Sequence, residues 1–509
     1  MSSSAESGRH ATVIAPARLV ERHPALAATL AAVLDVLVKH PGIATRSLWL
    51  DEAWTVALGL QTPAVILNTA TYDQNPPLYL LLMAGWLDLF GTSELALRVP
   101  SLLASAASAA VLLLFVRRFF GAEAALTASL LYLVSPAQTT YATEGRTFAL
   151  VGLLCLASFH AYFSLFERPR RRTALVLAVL NAAALWSHYT IAFAWLAQAV
   201  CAPLVGGRRG ERRAFGLYLA SQTLTLVLFA PLVRYALAAM PEVPTSWLPP
   251  PDLATLGRVA RDLVGSRSAL HAGLLLLAGF AAWRVYRGSR DGADRTAVQD
   301  DWRLVVAACW AIVPVVAAFV VSQKSPVLHV RYELYAGLGW IVTIAVVLSR
   351  LPWPATARAL AALVYLALAI KAPPNEAYRD PAWRQIAALE RRAPADVATA
   401  TVILPDVDCI PFAYYAAPDL LPRLFAPDGS YAVLDFEHLL AQRRIFCGEE
   451  AWTAAGEAPD AVRVLLVATD PEALAAERVS GALRERGLVS EPEQRLGNRD
   501  VRRFGSEAR

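Results

Sequence analysis

Apolar runs recur along the first three quarters of the chain, separated by short polar connections. A helix that crosses a bilayer needs roughly 17–25 such residues. Eleven runs fit, near 25–45, 95–116, 122–141, 147–166, 173–190, 190–206, 214–235, 269–286, 303–322, 332–349 and 354–370. Lipid supplies no water to backbone N–H and C=O groups, so these runs are expected to be helices. The first is unusual in holding Asp35 and Lys39, and the fifth and sixth run together around His188, which reads as their turn. Past residue 370 the pattern changes. DPAWRQIAALERR (380–392) has the spacing of an amphipathic helix, ATATVILP (398–405) and AVRVLLVATD (461–470) read as short strands, and PEALAAERVSGALRERG (471–487) reads as another helix. Strand–helix alternation predicts a small α/β domain. The expected fold is therefore an all-α polytopic membrane domain of about eleven helices with a small C-terminal α/β domain. The expected division is 1–24 as a leading polar segment, 25–370 as the membrane domain with a long loop at 46–94, and 371–509 as the tail.

Charge then fixes a sidedness. Of the 509 residues 56% are hydrophobic and only 17% charged, against nearer 25% charged in a soluble domain. The net charge is +5, but the arginines gather in alternate short connections: 117–118, 168–172, 208–213, 287–295 and 350. That is the positive-inside pattern, not a nucleic-acid surface. It places those connections and residues 1–24 in the cytoplasm, and loop 46–94, the turns near 135–146, His188 and 323–331, and the tail on the extracytoplasmic side of the cell (inner) membrane. No cleavable signal is evident, since no short apolar core with a small-residue cleavage site follows the polar start. Cys155, Cys201 and Cys309 sit in apolar runs, whereas Cys409 and Cys447 lie in the tail, where an oxidising side would allow a bridge. The sequence leaves open whether they pair.

Candidate chemistry collects on the same expected outer side. Asp51 and Glu52 follow an apolar stretch directly, a costly placement unless paired, hydrated or functional; an interfacial helix start is the structural alternative. In YDQNPPLYLLLMAGW (72–86), Asp73 and Asn75 precede Pro76 and Pro77, which force an extended approach and then start a helix holding Tyr79. Glu94 and Arg98 stand at i, i+4 and read as a helix ion pair, either an ordinary surface one or one that shapes a site. Arg146 runs against the charge bias of its side, and its planar fork suits phosphate, with snorkelling as the alternative. His188 stands at one outer turn, and Lys324, His329 and Arg331 at another, so a cationic cluster is expected there. The long, proline-rich loop 236–268 has the composition of a lid. There is no HExxH, CxxC pair, P-loop or GxGxxG, so no metal ligation or nucleotide fold is indicated.

The order of these motifs resembles the family-39 glycosyltransferases, which include protein O-mannosyltransferases and bacterial transferases of aminoarabinose to lipid A. The matching residues are Asp51-Glu52 after the first span, D-x-x-P-P-L-Y at 73–79, Glu94, Arg98 and Pro100, Ser135-Pro136, Arg146 with Ala149-Leu150, His188, and Arg331-Tyr332. They cover roughly residues 45–335, and the tail adds its Trp383-Arg384 opening. The resemblance implies a GT-C-class membrane fold and a polyprenyl-phosphate sugar donor. It implies inverting transfer to an acceptor hydroxyl of a lipid, glycan or protein, with Asp51 as general base. Glu52 and Asp73 would position hydroxyls, and Arg146 and Arg331, with Lys324, would meet the departing phosphate. Glu94, Arg98, His188 and Tyr79 would support them. The sugar, the acceptor and any dependence on a divalent metal stay open. Two other readings compete: a transporter or lipid flippase, which would place charge near the bilayer midplane within internal repeats, and a catalytically inactive scaffold that binds a partner.

Overall fold

The computed structural model describes residues 15–70, 75–209, 212–242, 248–290, 302–370, 382–392, 398–454, 456, 463–469 and 472–506. The chain divides into two compact units: Met1–Pro41, Gln74–Tyr79 and Val99–Pro374 form one, and Gly42–Asp73, Leu80–Arg98 and Asn375–Arg509 the other.

The first unit is helical. Each of the eleven expected spans falls on a helix or helix pair, and the protein is a multi-pass membrane protein. Among the described residues six helices are long and apolar enough to cross a membrane: Glu94–Phe120, Phe148–Glu167, Tyr189–Gly206, Arg212–Val233, Arg267–Arg287 and Trp302–Val321. The remaining expected spans fall on shorter helices, Pro24–Lys39, Ala122–Val134, Arg171–Leu185, Leu334–Ser349 and Ala355–Ala369. The expected span 122–141 is not continuous. Ser135 turns to an extended conformation and its side chain accepts from Gln138 N at 3.4 Å, so a new helix starts at Pro136. The described part of the expected lid is largely the helix Leu253–Val264, capped by Asp252 Oδ1, which accepts from Thr255 N at 2.7 Å, and burying Val259 and Leu263.

Aromatic side chains fill the centre of this unit, with Trp310 stacked on Phe159 at 4.2 Å between ring centroids. Helix Leu334–Ser349 packs against Trp302–Val321 so closely at Gly339 that a Cβ there would stand 2.6 Å from Ala311 N. Asp35 and Lys39, foreign to an apolar span, are explained by each other. Lys39 Nζ meets Asp35 Oδ1 at 2.6 Å, donates to Ser105 Oγ at 3.0 Å and lies 4.1 Å above the Tyr132 ring, while Ser105 donates to Asp35 Oδ2 at 2.6 Å. Each charge is fully buried and each has a partner, the condition under which lipid tolerates it.

The second unit joins the tail to residues of the long loop. The tail contains a six-stranded sheet of β1 (Thr399–Leu404), β2 (Ile445–Cys447), β3 (Arg463–Thr469), β4 (Leu488–Ser490), β5 (Gln494–Leu496) and β6 (Arg499–Ser506), ordered β2-β1-β3-β6-β4 with β5 on β6. β1 pairs in parallel with β2 and β3, and β6 runs antiparallel to β3. β1 is buried from Ala400 to Leu404 and apolar there except for Thr401, as expected of a parallel strand covered on both faces. Helices Trp383–Arg391 and Ala473–Glu485 fall where the sequence places them. Cys409 and Cys447 form a disulfide with Cα atoms 5.8 Å apart, tying helix Cys409–Ala416 to β2.

Candidate functional site

In the second unit, Asp51 and Glu52 occupy the first turn of helix Leu50–Gly59, where the helix dipole favours carboxylates. Asp51 is half-buried and Glu52 is 1% exposed. Glu52 is held by Arg98 in a bidentate pair, Nε to Oε1 at 2.7 Å and Nη2 to Oε2 at 2.6 Å. The other N–H groups of Arg98 donate to the carbonyls of Ile43, Arg46 and Ser47 at 2.8, 2.9 and 3.1 Å. One guanidinium thus fixes both the turn before the helix and the carboxylate beside Asp51. The expected Glu94–Arg98 ion pair does not form. Glu94 instead accepts from Arg384 Nε at 3.2 Å and from Tyr415 Oη at 3.0 Å. Tyr415 Oη in turn accepts from Leu48 N at 2.8 Å, and Tyr414 donates to Thr92 O at 2.6 Å. Burial pushes both tyrosine hydroxyls to higher pKa, so they remain protonated donors.

The tail residues Arg384 and Tyr415, as supports of the 44–52 segment, and Tyr414, as a support of Thr92, were therefore missed. For Arg384 a signal existed, the Trp-Arg opening; the two tyrosines carried none, because nothing local distinguishes them in CIPFAYYAAP.

In the first unit, Arg146 follows the short helix Pro136–Ala142 and is 8% exposed. Its Nη2 donates to Asn75 Oδ1 at 3.4 Å, and its carbonyl accepts from Ser101 Oγ at 3.0 Å. Tyr79 Oη lies 3.5 Å from the same serine hydroxyl. The proline motif is anchored by Leu78 N donating to Trp186 O at 3.0 Å, two residues from His188. His188 lies in the turn beyond helix Arg171–Leu185, outside the apolar helices, with Nδ1 2.9 Å from Thr190 Oγ1. Thr190 Oγ1 reaches the Tyr332 carbonyl at 2.9 Å. Arg331 lies over the Tyr332 ring at 5.0 Å and donates to Tyr332 Oη at 3.1 Å.

Burial, then the charges of Arg146 and Arg331, hold the His188 imidazole at a pKa of about 3, so it is neutral at ordinary pH. Both arginines therefore act on one imidazole. Tyr79, Asn75, Arg146, His188, Arg331 and Tyr332 form one polar group in this unit. Lys324 does not join them: it is exposed on the turn after Trp302–Val321, and among the described residues no hydrogen bond or ion pair draws its ammonium into the group. Glu333, read only as part of a span, is fully buried at the start of Leu334–Ser349. Asp73 lies outside the described residues. Among the described residues no cluster of three or more His, Cys, Asp and Glu side chains is gathered for a metal.

Residues 74–235 match the family model of dolichyl-phosphate-mannose-protein mannosyltransferases. No curated protein sequence matches the chain. Among solved structures, ArnT from Cupriavidus metallidurans bound to undecaprenyl phosphate is similar at a TM-score of 0.55 and 16% identity, over 93% of this chain and 97% of that one. Its apo state is similar at the same TM-score and identity, over 94% and 98%. The oligosaccharyltransferase of Archaeoglobus fulgidus in complex with Zn and sulfate is similar at 0.50 and 12% identity, over 86% of this chain and 67% of that one. Sequence likeness to that family model over 74–235, with a fold shared with ArnT over nearly the whole chain, gives the protein a GT-C-class membrane fold.

Proposed function

We propose that the protein transfers a sugar from a polyprenyl-phosphate donor to an acceptor hydroxyl on the extracytoplasmic face, by a single inverting displacement. The observation that carries this reading is the gathering of two guanidinium groups near His188: Arg146, bonded to Asn75, and Arg331, over the Tyr332 ring at 5.0 Å, with the His188 and Tyr332 ring centroids 5.1 Å apart. A leaving polyprenyl phosphate gains charge as the glycosidic bond breaks, and guanidinium groups fixed beforehand stabilise that charge without reorganising. Similarity to a transferase bound to undecaprenyl phosphate supports the donor class. The neutral imidazole adds a hydrogen-bonding group without a third positive charge. Lys324 serves at most as an outlying cation.

Asp51 is the proposed base. An acceptor hydroxyl is a poor nucleophile until a carboxylate takes its proton. Glu52, with both oxygens on Arg98, is assigned to holding the Asp51 helix turn in place. Asp73 keeps its assignment to hydroxyl positioning on the strength of its motif. The tail stands on the oxidising side, where its Cys409–Cys447 bridge persists. A transporter or flippase is not favoured, since the family and fold likenesses are to glycosyltransferases.

The test is transfer from a synthetic polyprenyl-phosphate sugar by purified variants. Asp51→Asn should fold normally, still bind the donor, and transfer at least about a hundredfold more slowly, the scale of lost general-base assistance. Arg146→Ala and Arg331→Ala should weaken donor use instead. An Asp51→Asn rate near that of the wild type would move the base to Asp73, and unaltered donor affinity in both arginine variants would remove the phosphate assignment.

A further inference from the structure

A cavity of ≈ 960 Å³ opens in the first unit and shares no residue with the group around His188. Three helices wall it: Glu94–Phe120, Phe148–Glu167 and Arg171–Leu185. Its floor exists because Ala157, Ala161 and Ser164 present small side chains on one face of the middle helix, at i, i+4 and i+7. The third helix lines it with Val176, 50% exposed, and Leu180, and Val111 faces them from the first. Such a wall is suited to hydrocarbon and not to water.

The rim is cationic. Arg118, Arg168, Arg170 and Arg172 line it against one carboxylate, Glu167. Glu167 is already engaged by Arg118 at 3.4 Å and by Arg303. Among the described residues Arg168, Arg170 and Arg172 enter no ion pair, and all three are exposed. Helix Arg171–Leu185 begins at this rim, and its N-cap residue Arg170 makes no side-chain cap. Orientation of the chain in the bilayer accounts for arginines in this connection. It does not account for their closing one end of a cavity floored with small residues.

We propose that this cavity is a binding site for an anionic phospholipid with more than one phosphate, its acyl chain on the small-residue floor and its headgroup among Arg168, Arg170 and Arg172. Four guanidinium groups against one carboxylate leave a surplus of three positive charges, which one phosphodiester would not balance. Basic pockets between membrane helices take such headgroups. Cardiolipin is the probe.

Native mass spectrometry of the purified full chain, with cardiolipin, phosphatidylglycerol, phosphatidylcholine and undecaprenyl phosphate in competition, reads the site directly. Cardiolipin should be retained ahead of the other three. Arg168→Gln/Arg170→Gln/Arg172→Gln should weaken its retention by roughly fivefold per arginine, about a hundredfold together. Ala157→Leu fills the floor and keeps every arginine; it should weaken retention as well, with melting in phosphatidylcholine discs unchanged. Cardiolipin retention equal to that of phosphatidylcholine, retention undiminished in the triple variant or in Ala157→Leu, or preferred retention of undecaprenyl phosphate would each overturn the assignment.

Discussion

Asp35–Lys39 in the first unit and Glu94–Arg98 in the second have the same local grammar: an acid, three helical residues, a base. The first pair closes at 2.6 Å with both side chains fully buried. The second does not close, and Arg98 turns to Glu52, 46 residues away. Spacing puts two side chains on one helix face, but the rivals within reach decide whether they meet. Lys39 is a compact ammonium among apolar helices, and Asp35, Ser105 and the Tyr132 ring serve it. Arg98 is a planar fork that donates to both oxygens of one carboxylate and to three carbonyls at once, a set that Glu94 on its own helix cannot match.

The largest expected effect is therefore at Arg98. Arg98→Met leaves the Glu52 carboxylate buried without its partner and releases three carbonyls. Removing one member of a buried pair costs about 3–5 kcal/mol, so the variant should melt far below the wild type in detergent. Arg98→Lys should recover only part of the loss, since an ammonium cannot reproduce the fork. A melting temperature near the wild type for Arg98→Met would show that the 43–52 segment is held by something else.

Lys39→Met should cost less, about 2–3 kcal/mol, because Asp35 keeps the hydrogen bond that Ser105 donates to it. The sharper measurement is the double variant Asp35→Leu/Lys39→Met. Replacing a buried pair by apolar side chains is often neutral or stabilising, so the double variant should melt closer to the wild type than Lys39→Met does. A double variant worse than the single would mean that the pair does more than cancel its own charge.

The same contrast explains what the sequence disclosed. Helix positions in the first unit were legible because lipid leaves the backbone no alternative, and Ser135-Pro136 broke one expected span by local capping that outweighed its hydropathy. Strands β1 and β3 were legible as apolar runs. The three-residue strands β2, β4 and β5 were too short to show a period, and β6, with RDVRRFGS, looks polar until β3 pairs with it. At the candidate site, Asp51, Arg146, His188 and Arg331 stood out because charge is scarce around them. Asn75 and Tyr332 stood in motifs beside them. Ser101 and Tyr415 did not stand out: they are ordinary polar residues that become informative only when the fold brings remote segments together.

The smallest effect should fall on Glu94, the acid whose expected partner went elsewhere. Its carboxylate bonds Arg384 and Tyr415, but the Arg384 side chain is 42% exposed, so water screens the pair. Glu94→Gln keeps an oxygen that can accept from Tyr415 or Arg384 and removes only the charge. Arg384 retains its bond to the Ala44 carbonyl at 3.1 Å. The expected loss is about 0.5–1 kcal/mol, a small shift in melting beside that of Arg98→Met. High salt should narrow the gap between Glu94→Gln and the wild type, because screening weakens a half-exposed pair and leaves the buried Glu52–Arg98 pair nearly untouched. If Glu94→Gln proved as damaging as Arg98→Met, and its effect did not respond to salt, Glu94 and Arg98 would be acting as one coupled unit, and partner choice would not separate the two pairs.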